Sequence, residues 1–467
     1  MNRTLIKNLK EKRGEEVMVS GWIDTRRDQG KIIFLDIRDV SGKIQTVILP
    51  NHDEALEAAK DLRTEWVVKV TGKVNQRPEK NRNTDQDNGD IELEIFSLEI
   101  LNSAETPVFD TGSDGKEIGD EVRLENRYLD LRRPRMQNNI RMRHKVAKLV
   151  RYILDQENFV EIETPYLTKS TPEGARDYIV PSRLYPGKFY ALPQSPQQHK
   201  QLLMSAGFEN YFQFARCMRD EDTRGDRQPE FTQLDLEKSF TTEEEIINLN
   251  EKIFIEIVST LYPEKKIQQI PFPRITYKEA LEKYGSDRPD IREDKNNPNL
   301  LAFVWVTDFP FFEKTNEGKW TFTHNPFSAP KLEHIENLKE KKEIENIQAA
   351  QYDIVLNGFE IGGGSMRNHK PELLSAVLEI IGHSSENIKK NFGHMLKALA
   401  SGTPPHGGIA WGFDRFMMIL QNESNIREVI AFPKTGEGKD LMMNAPSEVS
   451  ENQLKDLNIK IKDESSG

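Results

Sequence analysis

Four runs in the first hundred residues, EEVMVSGWIDTRRD, KIIFLDIRDVSGKIQTVILP, EWVVKVTGKVNQRP and IELEIFSLEIL, are rich in β-branched and aromatic residues. Turn signals separate them at Asp28-Gln29-Gly30, Ser41-Gly42 and Asn88-Gly89-Asp90, so they predict strands. DEALEAAKDL at 53–62 predicts one short amphipathic helix among them. A polar, acidic, turn-rich stretch at 103–125 follows, and then the pattern changes. NIRMRHKVAKLVRYILDQEN is a long amphipathic helix with an apolar stripe at Val146, Leu149, Val150 and Ile153. Beyond it strands and helices alternate in no regular βαβ order, no fixed-period repeat appears, and KDESSG at the end is expected to be a frayed tail.

Strands with one intervening helix are the order of an OB-fold, a barrel that binds single-stranded nucleic acid on its sheet face; another small β-barrel fits the same composition. The second part reads as an α+β domain on an antiparallel sheet flanked by helices, not a Rossmann sheet. The expected boundaries are 1–104 for the barrel, 105–135 for a hinge and 136–467 for the larger domain. A length of 467 residues agrees with two or three domains. The lone Cys217 cannot form an internal disulfide and sits amid apolar residues, which points to a core position in a reducing cytoplasm. No apolar run reaches the ~20 residues of a membrane span, and the N-terminus lacks the apolar core of a secretory signal. The net charge of −11 argues against a nucleic-acid binder, but local clusters set the field at a groove. TRRDQGK at 25–31 and RYLDLRRPRMQNNIRMRHK at 127–145 are two such clusters, each also readable as a solvated face.

Three segments carry chemistry. In FARCMRDEDTRGDRQPEFTQLDLEKSF, 214–240, a strand enters, dense charge follows and a second strand leaves. The Arg219 fork suits a phosphate, Glu221 is expected on the same strand face, and Phe231 suits a planar base. In GTPPHGGIAWGFDRFMMIL, 402–420, Arg415 opens an apolar helix. The helix dipole favours negative charge there, so an anionic ligand explains the cation better. In QYDIVLNGFEIGGGSMRNH, 351–369, Asp353 and Glu360 flank a strand-like run as oxygen ligands suited to Mg²⁺. GGGS then lets backbone approach a small ligand, and Arg367 follows as a carboxylate clamp. Read alone, each segment also fits a structural role: a solvated hairpin, a glycine turn feeding a core helix, a surface turn.

Together they resemble the three signature motifs of class II aminoacyl-tRNA synthetases. The helix leading to VEIETPYL with Pro165 resembles the first, the RDED hairpin the second and GFDR the third. From GWIDTRRDQGKIIFLDIRD to VIAFPKT the chain is similar to bacterial-type aspartyl-tRNA synthetases; RYLDLRRP, TPEGARDY, ALPQSPQ and RDEDTRGDRQPEFTQ carry that likeness. The last is not expected of an asparaginyl enzyme.

The resemblance implies that L-aspartate attacks the α-phosphate of ATP, releasing pyrophosphate, and that the terminal ribose hydroxyl of tRNA then takes the aspartyl group. It implies a catalytic set of Arg219, Glu221 and Arg415. ATP would be held by these with Gln228, Phe231, Glu360, Gly412, Phe413 and Asp414, with Phe231 stacked on adenine and Arg415 on the far phosphates. Asp353 and Glu360 would carry Mg²⁺. For aspartate it implies Lys200 and Arg367 on the side-chain carboxylate, and Ser195, Gln197 and Asp235 at the ammonium end. Arg219 and His324 belong to the same pocket, and Glu173, in TPEG, closes over it. In the barrel, Phe34 would stack an anticodon base, Arg27 and Gln45 would read base edges, and Glu92 would lie nearby. Gln29 and Lys80 occupy positions that correlate with discrimination: Lys80 resembles enzymes strict for tRNA(Asp), whereas Gln29 matches neither these nor the relaxed ones that also charge tRNA(Asn). The first motif implies a symmetric homodimer.

Two departures stand out. THNPFS keeps His324 but has Asn325 where paired histidines are usual, so any charged role at 325 is lost. The large domain inserted in bacterial members is replaced by a short polar linker near 288–302, expected to be unstructured, and activity is expected to survive its loss. A rival reading of another class is an inactive RNA-binding paralogue.

Overall fold

The computed structural model describes residues 1–170 and 174–462. It divides into two compact units, Met1–Gly115 and Lys116–Gly467.

In the first unit β1 (Glu16–Gln29), β2 (Ile32–Asp39), β3 (Gly42–Ile48), β4 (Val67–Gln76) and β5 (Ile91–Asn102) close a barrel ordered β1-β2-β3-β5-β4. The helix α1 (Asp53–Ala59) lies between β3 and β4 in sequence. Alternation builds the interior: Val17, Val19 and Ile23 of β1, Leu35 and Ile37 of β2, and Ile91, Leu93 and Ile95 of β5 are buried together. β1 is long enough to serve two walls, pairing through Glu16–Trp22 with β4 and through Trp22–Gln29 with β2. That double pairing closes the sheet and removes its edges, giving the expected OB-fold.

The second unit holds one sheet of β6 (Val160–Glu161), β7 (Asn210–Met218), β8 (Glu230–Ser239), β9 (Arg274–Thr276), β10 (Phe303–Thr307), β11 (Gln351–Leu356), β12 (Phe359–Met366) and β13 (His406–Gly412). Its order is β9-β10-β11-β12-β13-β8-β7-β6. The inner strands pair antiparallel, as expected, while the edge strands β9 and β6 run parallel to their neighbours. The helices used below are α2 (Pro134–Gln156), α3 (Gln197–Ser205), α4 (Glu243–Leu261) and α5 (Phe413–Leu420). Side chains from α2, α4 and α5 share one core with Leu234 and Leu236 of β8, Tyr352 and Ile354 of β11, and Ile409 and Trp411 of β13. The buried indoles of Trp305 and Trp411 donate to Glu251 (3.0 Å) and Asn250 (2.7 Å) of α4, which removes the cost of burying two N–H groups. Period two then sends the intervening residues, Gln233, Asp235 and Glu237 of β8 and Gln351 and Asp353 of β11, to the opposite face. They are buried as well, so the sheet has an apolar side against helices and a buried polar side. The site lies on the polar side.

Several local features differ from expectation. Residues 116–135 belong to the second unit instead of a hinge. Arg123, Arg127 and Arg133 are buried around Asp130 at 3.1, 2.6 and 2.8 Å, and Arg123 also meets Glu428 at 2.6 Å. This part of the basic run is neither a solvated face nor an open cation cluster, because buried charge is tolerated only when paired. The polar linker at 288–302 is ordered: Asp290 holds Arg292 at 2.7 Å, the Gln268 amide bonds the backbone of Ile291 and Glu293, and Leu300–Leu301 pairs with Lys266–Ile267. Asp353 and Glu360 do not flank one strand but sit on the two strands of a hairpin, β11 and β12. Asn357 and Gly358 turn it at φ 51° and 85°, an Asn-Gly hairpin signal. GGGS is therefore a strand, and Arg219 and Glu221 lie on the loop between β7 and β8 instead of along a strand face.

Candidate active site

Two adjoining cavities occupy the polar side of the sheet. The larger, about 610 Å³, is lined by Ser195, Gln197 and Lys200, by Asp235 on β8, by His324 and Asn325, by Asp353, and by Arg367 just beyond β12. The smaller, about 200 Å³, is lined by Gln228, Phe231, Gly412, Asp414 and Arg415. Arg219, Glu221, Arg227 and Glu360 line both. A molecule in one cavity thus faces a molecule in the other across Arg219.

The floor of the larger cavity is a buried charge network. Lys200 Nζ lies 2.6 Å from Asp235 Oδ1 and 3.2 Å from Glu237 Oε2. Arg367 donates through Nε and Nη2 to both oxygens of Glu237, at 2.9 and 3.2 Å. Burial raises the Glu237 carboxyl, but Arg367 and Lys200 outweigh it and hold the group down at about 2. Asp235 goes the other way. Burial pushes its carboxyl up, Lys200 only partly opposes that, and Oδ2 is left without a hydrogen bond. A buried anion one bond short attracts a cationic group. Gln197 donates to Gln201 at 3.1 Å, and its backbone N–H donates to Ser195 Oγ at 3.3 Å. Burial pushes the His324 imidazole down, so it is neutral at pH 7, with its ring edge-on to Phe309 at 4.7 Å.

In the smaller cavity the Arg219 guanidinium sits 5.1 Å over the Phe231 ring, so one wall pairs a cation with an aromatic face. Arg415 reaches Asp226 at 3.2 Å and donates to the Glu360 carbonyl. Three expected nucleotide residues also have structural partners. Gln228 spends its amide on the backbone of Lys434, accepting at 2.7 Å and donating at 3.2 Å. Asp414 accepts from the Thr232 N–H at 2.8 Å and pairs with Arg143 at 2.5 Å. Phe413 lines neither cavity; its ring is buried edge-on against Phe214 at 5.1 Å. Burial and then Glu360 push the Asp353 carboxyl well above its usual range. Two oxygen donors set against each other in this way suit a hard cation, which would relieve their repulsion. Among the described residues no group of three or more His, Cys, Asp or Glu side chains could hold a metal.

In the barrel unit a surface cavity of about 460 Å³ is lined by Arg27, Gln29, Phe34, Gln45 and Glu92. Phe34 points away from the barrel core formed by Leu35 and Ile37. Arg27 donates to Gln45 (3.2 Å), which donates to Glu92 (3.3 Å), so a hydrogen-bonded row runs beside the ring. Lys80 is exposed and does not line this cavity. Glu173 lies outside the described residues. Cys217 is buried, as expected, and donates to Gln233 at 3.2 Å. The residue that sequence reading missed is Glu237. Its signal was the alternation of LDLE, which places it two residues from Asp235 on the same strand face.

The family model for class II tRNA synthetases of the D, K and N group matches residues 119–436, and that for the OB-fold nucleic acid binding domain matches 17–101. The chain is 40% identical to the Aspartate--tRNA(Asp/Asn) ligase of Natranaerobius thermophilus, covering 96% of this chain and 97% of that one. It is 41% identical to the Aspartate--tRNA ligase of Listeria welshimeri, with 96% of each covered. The first alignment runs over 574 positions for a chain of 467 residues, so at least 107 positions lack a counterpart here. The fold resembles asparaginyl-tRNA synthetase from Pyrococcus horikoshii, with TM-score 0.75 and 22% identity over 93% of this chain and 98% of that one. With the matched span covering the sheet, both cavities and the three motifs, the chain belongs to the class II aminoacyl-tRNA synthetases of the aspartate, lysine and asparagine group.

Proposed function

We propose that the chain is an aspartate–tRNA ligase, which activates L-aspartate with ATP and esterifies it to tRNA(Asp). The observation that carries this is the floor of the larger cavity, where two buried cations and an under-bonded carboxylate face one small space. A side-chain carboxylate meets Lys200 and Arg367, and a neutral amide leaves those cations mismatched, which is the basis of selection. Asp235, with Ser195 and Gln197, takes the ammonium end. Arg219 then holds the α-carboxylate against the α-phosphate of ATP in the smaller cavity. Phe231 stacks on the base, and Arg415 meets the outer phosphates. Asp353 and Glu360 would hold Mg²⁺, which supplies charge neutralisation at the phosphate oxygens when bound. The chain's own contribution is to hold two anionic reactants in line and to stabilise charge on the pentavalent phosphorus.

Aspartate-dependent exchange of pyrophosphate into ATP tests this step, with asparagine and lysine as controls. Exchange with aspartate alone is expected, and exchange with asparagine in its place contradicts the pocket assignment. The inactive-paralogue reading predicts no exchange, and the presence of Arg219, Glu221, Glu360, Arg367 and Arg415 weighs against it. A second reading, that tRNA(Asn) is charged as well, turns on Gln29 in the barrel cavity, where an amide donates and accepts and so tolerates either base. Lys80, which resembles strict enzymes, acts on backbone at most, being exposed outside that cavity. Charging both transcripts side by side separates the readings: a strict enzyme leaves tRNA(Asn) uncharged. A homodimer and a cytoplasmic location, where its tRNA substrate resides, complete the proposal.

A further inference from the structure

Arg367 has one arm that Glu237 does not occupy, and a buried chain of side chains continues from it. Nη1 donates to Ser365 Oγ at 2.7 Å. Ser365 Oγ lies 2.9 Å from Ser328 Oγ, and Ser328 Oγ lies 3.4 Å from Asn325 Oδ1. Ser365 and Ser328 are both buried. Each hydroxyl has one hydrogen to give, and a guanidinium only donates. One direction therefore satisfies every link: Arg367 gives to Ser365, Ser365 to Ser328 and Ser328 to Asn325. Asn325 Oδ1 also accepts from the Phe327 N–H at 3.0 Å, which fixes the amide in a turn. Backbone bonds from Asn368 to Phe327 (2.9 Å) and from Ala329 to Met366 (2.8 Å) hold this loop against the end of β12.

We infer that Asn325 is a positioning residue for Arg367: its carbonyl oxygen is the terminal acceptor that orders the two serine hydroxyls and aims the guanidinium at the aspartate side-chain carboxylate. The inference rests on the aspartate pocket proposed above. Without that acceptor Ser328 turns its hydrogen to Ser365, and Ser365 is left with no acceptor for its own. The guanidinium then loses the polarised support on Nη1 while its bonds to Glu237 persist. The consequence falls on aspartate binding, not on the phosphate side of the site.

The test is steady-state pyrophosphate exchange by the full-length protein. Asn325→Ala is expected to raise the KM for aspartate about tenfold, the effect of one buried hydrogen bond, with kcat within about twofold and the KM for ATP unchanged. Ser328→Ala is expected to do the same. Asn325→Ser, which restores an oxygen that accepts from the same turn, is expected to recover most of the aspartate KM. An unchanged aspartate KM in Ser328→Ala overturns the inference even if Asn325→Ala fails to fold. So does an equal rise in both KM values, the mark of a general loss of structure. If the unaltered protein shows no aspartate-dependent exchange, the pocket reading itself has failed.

Discussion

At the cavity floor Glu237 gives both carboxylate oxygens to Arg367 and lies within ion-pair distance of Lys200, with no exposed surface of its own. Replacing it by Gln leaves two buried cations with one carboxylate between them, a change that costs ~3–5 kcal/mol. The sign of its pH dependence follows from its position. The folded group sits at about 2, below its ordinary 4.5. Its stabilisation is therefore complete above pH 4.5 and is lost as the pH falls toward 2. Thermal melts of the unaltered protein and Glu237→Gln are expected to differ by a constant margin from pH 7 to 4.5 and to converge below. A margin that stays constant through pH 3 contradicts the assignment. Arg367→Leu removes the guanidinium instead. It is expected to abolish aspartate activation at a cost of ~2–5 kcal/mol, while far-UV circular dichroism stays native; normal exchange activity in this variant removes it from the pocket. The chemistry-bearing residues Arg219, Asp235, Glu360 and Arg367 were legible because their motifs are contiguous in sequence. Glu237 was not, because the alternation that puts it on the face of Asp235 does not tell a buried acid from one that faces water.

The glycine-rich strand β12 is packed too closely between its neighbours for a side chain at Gly364. A Cβ at Gly364 would come 2.3 Å from the Gly408 carbonyl and 2.6 Å from the Tyr352 ring, so the run exists to let three strands approach. In sequence GGGS read as backbone open to a small ligand or as a surface turn, since glycine weakens a strand; Gly363 and Gly364 do line the larger cavity. The Asn357-Gly358 turn before it was the better signal, because an Asn-Gly pair between apolar runs specifies a two-residue hairpin. Gly364→Ala is expected to destabilise the second unit by ~1–3 kcal/mol through overpacking, visible as a lower midpoint in urea unfolding. An unchanged midpoint means the sheet has room that this packing denies. The same limit applies to 116–135. Its charge density read as hinge and solvated surface, and only its long-range partner Glu428 makes Arg123 a buried residue.

At the scale of the whole molecule the two units were legible from the change of pattern alone. Alternating runs gave the barrel, and the long helix with its mixed strands and helices gave the larger domain. The edge strand β6 carries Val160, and Tyr152 and Leu167 lie close to it in sequence; all three are exposed and would be covered by the symmetric interface proposed above. Sedimentation equilibrium at micromolar concentration is expected to give a dimer; a fully active monomer contradicts this. Aminoacylation shows whether the two cavities join aspartate to tRNA through ATP. Purified protein is given ATP, Mg²⁺, a tRNA(Asp) transcript and either labelled aspartate or labelled asparagine. Aspartyl-tRNA is expected to accumulate, and asparaginyl-tRNA is not. Charging with asparagine, or no charging by a protein that folds and binds the transcript, contradicts it.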